Sequence, residues 1–326
     1  MMMTLPFTKA VNALAEGSSF LLSSVTGKAF VPGLPPAISV ELTNNCNLHC
    51  RECHTGSGRM TRGKGFMDIY LFDKIISELR PYIYYLLLNF QGESMMHPLF
   101  FSFLGRTGSL NTTLSTNGHF LSVENADKIV RSGLGRLVVS LDGMDQETYS
   151  SYRTGGDLNT VLEGIRNISN ANKRAGSPLK LEIQFLVNRG NENQIHSARQ
   201  FALEMNASFR LKSMQIINSE NFEKWLPSGS GYSRYKKKNG EYVIKNQYPN
   251  RCARLWLNPV ITWDGKVIPC CFDKDAEYIM GDLNEDTFRD IWYGPKYRIF
   301  RKSILSGRYM IDICRNCTSG LRGVYY

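Results

Sequence analysis

Apolar and polar positions along this chain switch repeatedly between a two-residue and a three-to-four-residue rhythm. The run Pro36–Thr43 is short and β-rich and stops at the turn-forming pair Asn44-Asn45. Ile69, Phe72, Ile75, Ile76 and Leu79 then recur at helical spacing, which predicts a helix over 67–82. A continuous apolar run over 83–90 reads as a strand ending at Gln91-Gly92-Glu93, and 95–104 as a short helix. The pattern continues with a strand at 112–115 ending in Thr116-Asn117-Gly118 and a helix at 122–132 for which Ser122 is the cap. Next come a buried-type strand at 137–141 ending in Asp142-Gly143, a helix at 160–170 and a strand at 179–187. A helix at 194–205 and a strand at 209–217 complete the series.

Six strands joined by helical crossovers imply a parallel sheet in an α/β fold. Nearly every strand ends in a Gly, Asn, Asp or Ser cluster, as suits a single ligand-binding rim. An eight-stranded barrel takes about 250 residues, so the expectation is a partial (β/α)6 TIM-like barrel over 36–218. Residues 1–35 form an N-terminal extension, expected as an amphipathic helix packed on the barrel or lying on a membrane surface, with packing preferred. Residues 219–250, rich in Ser, Gly, Lys and Tyr, read as a connector. In the remaining 251–326, Val260–Pro269 predicts a β-hairpin turning at Asp264-Gly265, and 288–305 predicts a helix. The hairpin is expected to bring Cys252 and Cys270 together from opposite strands.

With 326 residues and 42% hydrophobic content the chain can bury a large core. No apolar run is long enough to span a bilayer, and Lys9 and Glu16 interrupt the N-terminal apolar stretch, which argues against a secretory signal. Eight cysteines without such a signal point to metal or redox use in a reducing compartment, with cytoplasm the default. The net charge of +10 raises nucleic acid as a partner. The densest basic run, Arg234–Lys238, reads instead as a solvated loop, and no nucleic-acid partner is expected.

The cysteines change the picture most. Cys46, Cys50 and Cys53 stand at C-x3-C-x2-C spacing on the loop that leaves the first strand. Three thiolates can hold three irons of a four-iron cube, leaving one iron open to a chelating ligand; full ligation normally takes four cysteines. Structural zinc is the competing reading, although zinc sites usually pair two C-x2-C knuckles. The second group comprises Cys252, Cys270-Cys271 and Cys314-x2-Cys317.

Taken together these segments resemble the radical S-adenosylmethionine (SAM) enzymes, in the branch with a C-terminal SPASM or Twitch auxiliary-cluster domain. Cys46-x3-Cys50-x2-Cys53 corresponds to the signature triad, Gln91-Gly92-Glu93-Ser94 to the Gly-Gly-Glu-Pro segment, and Ser140–Gly143 to the fourth-strand motif. Tyr152-Arg153-x-Gly-Gly156 matches the motif that follows it, and Cys252-x12-Gly265-x4-Cys270 the start of the SPASM pattern. The resemblance implies that Cys46, Cys50 and Cys53 hold a [4Fe-4S] cluster whose open iron is chelated by SAM. It implies reductive cleavage to a 5′-deoxyadenosyl radical that takes hydrogen from a substrate carbon. Gly92 and Glu93 are then expected at the methionine amino group and Ser140 and Arg153 at its carboxylate. Asn117 and Asp142 are expected at the ribose or rim, and Leu186 and Val187 near the adenine. Two positions depart from the pattern: Ser94 replaces a proline, and Glu52 precedes the third cysteine where an aromatic or apolar group is common.

The family's full SPASM domain holds two clusters, and the five cysteines here suffice for one auxiliary [4Fe-4S], with Cys252, Cys270, Cys314 and Cys317 as ligands and Cys271 a spare buried thiol. Zinc is the alternative at this site. The activity implied is oxidation of a small molecule, alcohol or sugar-like, with the auxiliary cluster as electron acceptor. The alternatives are modification of a ribosomal peptide or protein side chain and, outside enzymes, a zinc-held structural or nucleic-acid module. A low-potential donor such as flavodoxin or ferredoxin is the expected redox partner. No catalytic acid or base is assigned, and His49 and His54 are expected to pack the loop.

Overall fold

The structure is a computed structural model that describes residues 5–245, 249–319 and 325. An N-terminal helix α1 (Leu5–Thr26) leads to strand β1 (Ala37–Val40). Strands and helices then alternate: α2 (Ile69–Leu79), β2 (Tyr85–Leu87), α3 (Phe100–Arg106), β3 (Asn111–Thr116), α4 (Val123–Arg131) and β4 (Arg136–Ser140). The run closes with α5 (Gln146–Tyr152), α6 (Leu158–Arg174), β5 (Lys180–Val187), α7 (Ile195–Glu204) and β6 (Ser208–Ser213). Asp68, Ser122, Asp145 and Asp157 start α2, α4, α5 and α6, each accepting from backbone N–H groups of the first turn. Helix α5 escaped the sequence pattern; it is short and polar, with only Tyr149 and Tyr152 buried.

Strands β1 to β6 pair in parallel in sequence order, forming the partial six-stranded barrel. Side-chain alternation divides its two faces. Ile38, Val40, Leu114, Leu137, Val139 and Ile183 share one core with Phe72, Phe103, Ile129 and Ile165 of the surrounding helices. The other parity, including Asn111, Ser115, Arg136, Glu182, Gln184 and Lys212, lines a polar cavity of about 620 Å³ inside the barrel.

The segment expected as a plain connector carries structure of its own. A helical turn α8 (Phe222–Trp225) and a hairpin of β7 (Tyr235–Lys238) and β8 (Glu241–Ile244) occupy it, while 246–248 lie outside the described residues. Lys236–Lys238 are exposed, but Arg234 and Tyr235 are buried, so the basic run is the edge of a packed hairpin, correcting the solvated-loop reading. Trp225, Leu226 and Tyr235 form a small apolar cluster with Leu48, Cys50 and Tyr152.

The C-terminal part does not form a sheet of its own. After a helical turn α9 (Arg254–Leu257), β9 (Val260–Ile261) pairs in parallel with β1, and β10 (Lys266–Ile268) and β11 (Gly281–Asp282) continue outward. A nine-stranded sheet therefore runs from the C-terminal hairpin into the barrel. The predicted hairpin is present, turning at Gly265, whose φ of +87° glycine adopts freely. Cys252 precedes α9 and is not on a strand, which corrects the opposite-strand expectation. The single predicted helix over 288–305 is two, α10 (Phe288–Tyr293) and α11 (Pro295–Gly307), broken at Gly294-Pro295; α12 (Asp312–Arg315) follows. Buried Glu41 at the end of β1 fixes the junction, accepting from Arg62 Nη1 at 2.7 Å and Nη2 at 2.5 Å and from the Trp263 backbone at 3.2 Å.

Helix α1 packs on α9, with Phe20 against Trp256. It turns Asn12, Glu16, Ser19 and Ser23 inward and leaves Phe7, Leu14, Leu21 and Val25 exposed. No helix among the described residues is long and apolar enough to cross a membrane.

Candidate iron–sulfur and cofactor site

The first cysteine loop leaves the C-terminal end of β1 and is fastened on three sides. Thr43 Oγ1 donates to Gly65 O at 2.6 Å and Asn44 Nδ2 to Gly63 O at 2.8 Å, holding the returning segment 54–66. His49 N donates to Thr154 O at 2.8 Å and Arg51 N to Tyr152 O at 3.3 Å, laying the loop along the end of α5. Glu93 N donates to Asn45 O at 2.7 Å. Gly92 makes that contact possible: its φ is +74°, and a Cβ there would stand 2.6 Å from the carbonyl oxygens of Thr43 and Asn45.

Cys46, Cys50 and Cys53 are near enough to oppose one another's ionisation. Burial, then the charges of Cys53 and Cys46, push the Cys50 thiol up to about 12, and the Arg153 guanidinium works against them. Burial likewise raises Cys46, whose sulfur accepts from Leu48 N at 3.5 Å. Loading iron there must release protons, and a cationic metal core is what such a crowded thiol set lacks.

Of the residues expected around this loop, most converge on it. Glu93 is fully buried, and its carboxylate accepts from the backbone N–H of Asn117 at 2.7 Å and of Met95 at 3.2 Å. Burial raises its pKa. Asn117 Nδ2 donates to Asn47 Oδ1 at 2.7 Å and lies 4.0 Å from Cys46 Sγ. Arg153 Nε donates to Asp142 Oδ2 at 2.6 Å, and its Nη1 lies 3.9 Å from Cys50 Sγ. The other Asp142 oxygen accepts from Leu186 N at 2.7 Å. Arg153 and Asp142, expected at separate parts of the cofactor, are thus one buried ion pair beside Cys50. Ser140, also buried, sits at the end of β4 opposite Gln184 of β5.

Val187 is the exception. Strand alternation turns its side chain to the outer face, where it packs with Phe185, Ala198 and Leu211. Leu186 instead joins the cluster containing Leu48, Cys46 and Cys53. The expectation of a Val187 side chain near adenine is corrected accordingly; its neighbour faces the cysteines.

Glu52 has a role the sequence did not suggest. Its buried carboxylate accepts from Ile217 N at 2.7 Å, Asn218 N at 3.3 Å and Asn221 Nδ2 at 2.5 Å, clamping the segment after β6 to the cysteine loop.

The second group is buried at Cys252, Cys270, Cys314 and Cys317, with Cys271 half-buried. Burial pushes Cys314 up to about 12 and Cys317 up to about 11, opposed in both by Arg308. Arg308 Nη2 donates to Cys317 Sγ at 3.2 Å, and Arg254 is held more strongly protonated by Cys271, Cys270, Cys317 and Cys252. Four thiols with two guanidiniums suit a fully ligated, negatively charged cluster. Among the described residues, no three His, Cys, Asp or Glu side chains are set to hold a single metal ion.

The loop after Cys270-Cys271 ties this group to the first. Asp275 pairs with His54, next to Cys53, and accepts from Thr61 N at 2.8 Å. Arg62 Nε donates to Lys274 O at 2.9 Å. The Lys274 side chain, close to both Cys53 and Cys271, donates to Gln215 Oε1 at 2.9 Å. None of the contacts of His54, Thr61 and Arg62 with this loop announces itself by spacing, because each joins segments far apart in the chain.

A cysteine triad at the rim of a partial barrel, tied through the loop after Cys271 to a second, buried cysteine group, offers thiols for two iron–sulfur sites. The radical SAM superfamily profile matches residues 40–181, and the SPASM iron–sulfur cluster-binding domain matches 252–318. The chain belongs to the radical SAM superfamily and carries a C-terminal SPASM domain. Its cofactors are accordingly SAM, a SAM-binding [4Fe-4S] cluster and auxiliary iron–sulfur. It is 29% identical to the AdoMet-dependent heme synthase of Methanosarcina barkeri, over 82% of this chain and 84% of that protein. It is 22% identical to the S-adenosyl-L-methionine-dependent 2-deoxy-scyllo-inosamine dehydrogenase of Niallia circulans, over 86% and 92%. The crystal structure of BtrN with AdoMet and 2-DOIA shares its fold at a TM-score of 0.53, 18% identity and coverage of 88% and 94%. Streptococcus suis SuiB bound to precursor peptide SuiA shares it at 0.62, with 14% identity and coverage of 82% and 67%.

Proposed function

We propose that this protein is a radical SAM oxidoreductase that removes hydrogen from a carbon of a small molecule and passes the second electron to an auxiliary cluster. The observation that carries this reading is the Cys270–Tyr278 loop, whose contacts with His54, Thr61 and Arg62 set a buried four-cysteine group against the cysteine triad. Four protein ligands leave no iron open to substrate, which suits electron transfer better than chelation. The heme synthase and the inosamine dehydrogenase, named for small-molecule reactions, align over more than four-fifths of the chain and support the same reading.

In this reading Cys46, Cys50 and Cys53 hold the SAM-binding cluster, and Cys252, Cys270, Cys314 and Cys317 hold the auxiliary one. The bound cluster and SAM supply the 5′-deoxyadenosyl radical. Glu93 fixes the Asn117 backbone and so shapes the loop facing Cys46. The Arg153–Asp142 pair puts a positive charge beside Cys50 and orients the end of β5 through Leu186. Leu48, Leu186 and Tyr152 keep water from the triad. Arg254 and Arg308 balance negative charge at the auxiliary site. A flavodoxin- or ferredoxin-type protein delivers the low-potential electron.

Anoxic reconstitution tests the reading. Iron and sulfide should fill both sites, dithionite should release 5′-deoxyadenosine from SAM, and substrate turnover should yield a product two electrons more oxidised with the auxiliary cluster reduced. Zinc without sulfide would favour a structural module. A redox-neutral product would reject the acceptor role.

A further inference from the structure

We propose that the exposed face of α1 pairs with the same face of a second copy of this chain, as a short two-helix coil. The inference goes beyond the oxidoreductase reading and does not depend on it. Helix α1 is inverted relative to an ordinary surface helix, with its polar side inward and its apolar side outward. The polar side is spent on the segment that follows. Asn12 Nδ2 donates to Leu34 O at 2.8 Å, and Asn12 Oδ1 accepts from Leu34 N at 2.9 Å. Glu16 accepts from Gly33 N at 3.0 Å, and Ser23 Oγ from Phe30 N at 2.9 Å. Turning the helix over to bury its apolar side would break all of these. Phe7, Leu14, Leu21 and Val25 therefore stay 55%, 71%, 64% and 86% exposed.

The outward residues follow the repeat of a coiled-coil seam. Phe7, Val11, Leu14, Ser18, Leu21 and Val25 alternate steps of four and three. At about 100° per residue they fall within one arc of about 80°. Val11 and Val25 occupy one set of core positions and Leu14 and Leu21 the other, the β-branched and leucine combination that favours two strands. Beside the seam stand Ala10, Ala15, Gly17 and Ser24, small residues that let two backbones approach; a Cβ on Gly17 would meet nothing within 4 Å. None of the exposed residues described in α1 is charged, so pairing takes no ion out of water. Lys9 and Glu16 lie on the opposite side of the helix. A membrane surface fits this face less well, because interfacial helices carry Lys or Arg beside their apolar side. The seam and the neighbouring Leu22 leave roughly 600 Å² of apolar surface bare per copy, so a two-fold pair covers about 1,200 Å², the lower end for a stable assembly.

Sedimentation equilibrium of the anoxic, cluster-loaded protein at micromolar concentrations tests this, with flotation on phosphatidylserine–phosphatidylcholine vesicles as the competing probe. The wild type should sediment at twice the chain mass and stay off the vesicles. Leu21→Asp should weaken self-association at least a hundredfold, because the carboxylate would be buried against its own copy. Ser18→Leu should tighten it about tenfold by replacing the polar layer of the seam. Both side chains are exposed in the single copy, so circular dichroism of the variants should match the wild type. A wild type that is monomeric throughout overturns the proposal, as does a monomer that floats with the vesicles. Self-association that survives Leu21→Asp, or that Ser18→Leu leaves unchanged, overturns it as well, and the second readout does not rest on the Asp variant folding.

Discussion

Replacing Arg153 by Met should destabilise the protein, and replacing Asp142 by Asn in the same chain should restore part of the loss. The Asp142 carboxylate is about 1% exposed and has two partners, Arg153 Nε at 2.6 Å and Leu186 N at 2.7 Å. Removing the guanidinium leaves a buried negative charge with a single neutral donor, a change that typically costs about 3–5 kcal/mol. The side-chain amide introduced by Asp142→Asn would keep an oxygen for Leu186 N while removing the stranded charge. The double variant should therefore be more stable than Arg153→Met alone, and the coupling between the two positions should reach about 1–3 kcal/mol. Urea unfolding of anoxic, cluster-loaded protein, followed by circular dichroism, supplies the four stabilities of the cycle. Loss of positive charge beside Cys50 should also make the first cluster harder to reduce, read by redox titration. Additive single effects would refute the reasoning, because they would mean that Arg153 and Asp142 act on separate neighbours.

Glu52→Ala leaves the N–H groups of Ile217 and Asn218 without their acceptor and should cost about 2–4 kcal/mol; hydrogen exchange should rise first over 217–221, and uniform exchange would contradict the clamp. Gly92→Ala places a Cβ 2.6 Å from two backbone oxygens at a φ of +74° and should lower the iron content on reconstitution, whereas Gly105→Ala within α3, with nothing within 4 Å, should stabilise by about 0.5–1 kcal/mol. Burial pushes Glu16 of α1 up to about 7, eased in part by Gly33 N and Arg301. A carboxyl that binds its proton more tightly when folded loses stability as pH rises from about 4.5 to about 7, here by about 3 kcal/mol at most. Glu16→Gln should flatten the dependence of the melting temperature across that window, and an unchanged slope would reject the assignment.

The alternating pattern predicted each barrel strand to within a few residues, because a strand buried beneath helices must be apolar on its outer face whatever its partners. It also hid the inner face. The run 209–217 reads as a generic strand, yet β6 stops at Ser213, and Lys212 on it faces the barrel cavity, a placement that depends on register. Arg153 was legible as a guanidinium near the cofactor loop, but Asp142 as its partner was not, since it stands eleven positions earlier, across a whole helix. Val187 and Leu186 differ by one position and face opposite sides of the sheet, a distinction that depends on register.

Local chemistry, then, is written in the chain itself. Thiol spacing, strand and helix periodicity, and the glycine required at a left-handed turn are properties of neighbours in sequence, so they survive without a fold. Tertiary structure decided that β9 joins β1, so that the sheet runs on from the barrel into the C-terminal hairpin. It also decided that Glu52 and Asp275 clamp distant segments. Those contacts join residues tens to hundreds of positions apart, and only packing of the whole chain fixes which of many chemically acceptable partners each side chain finds.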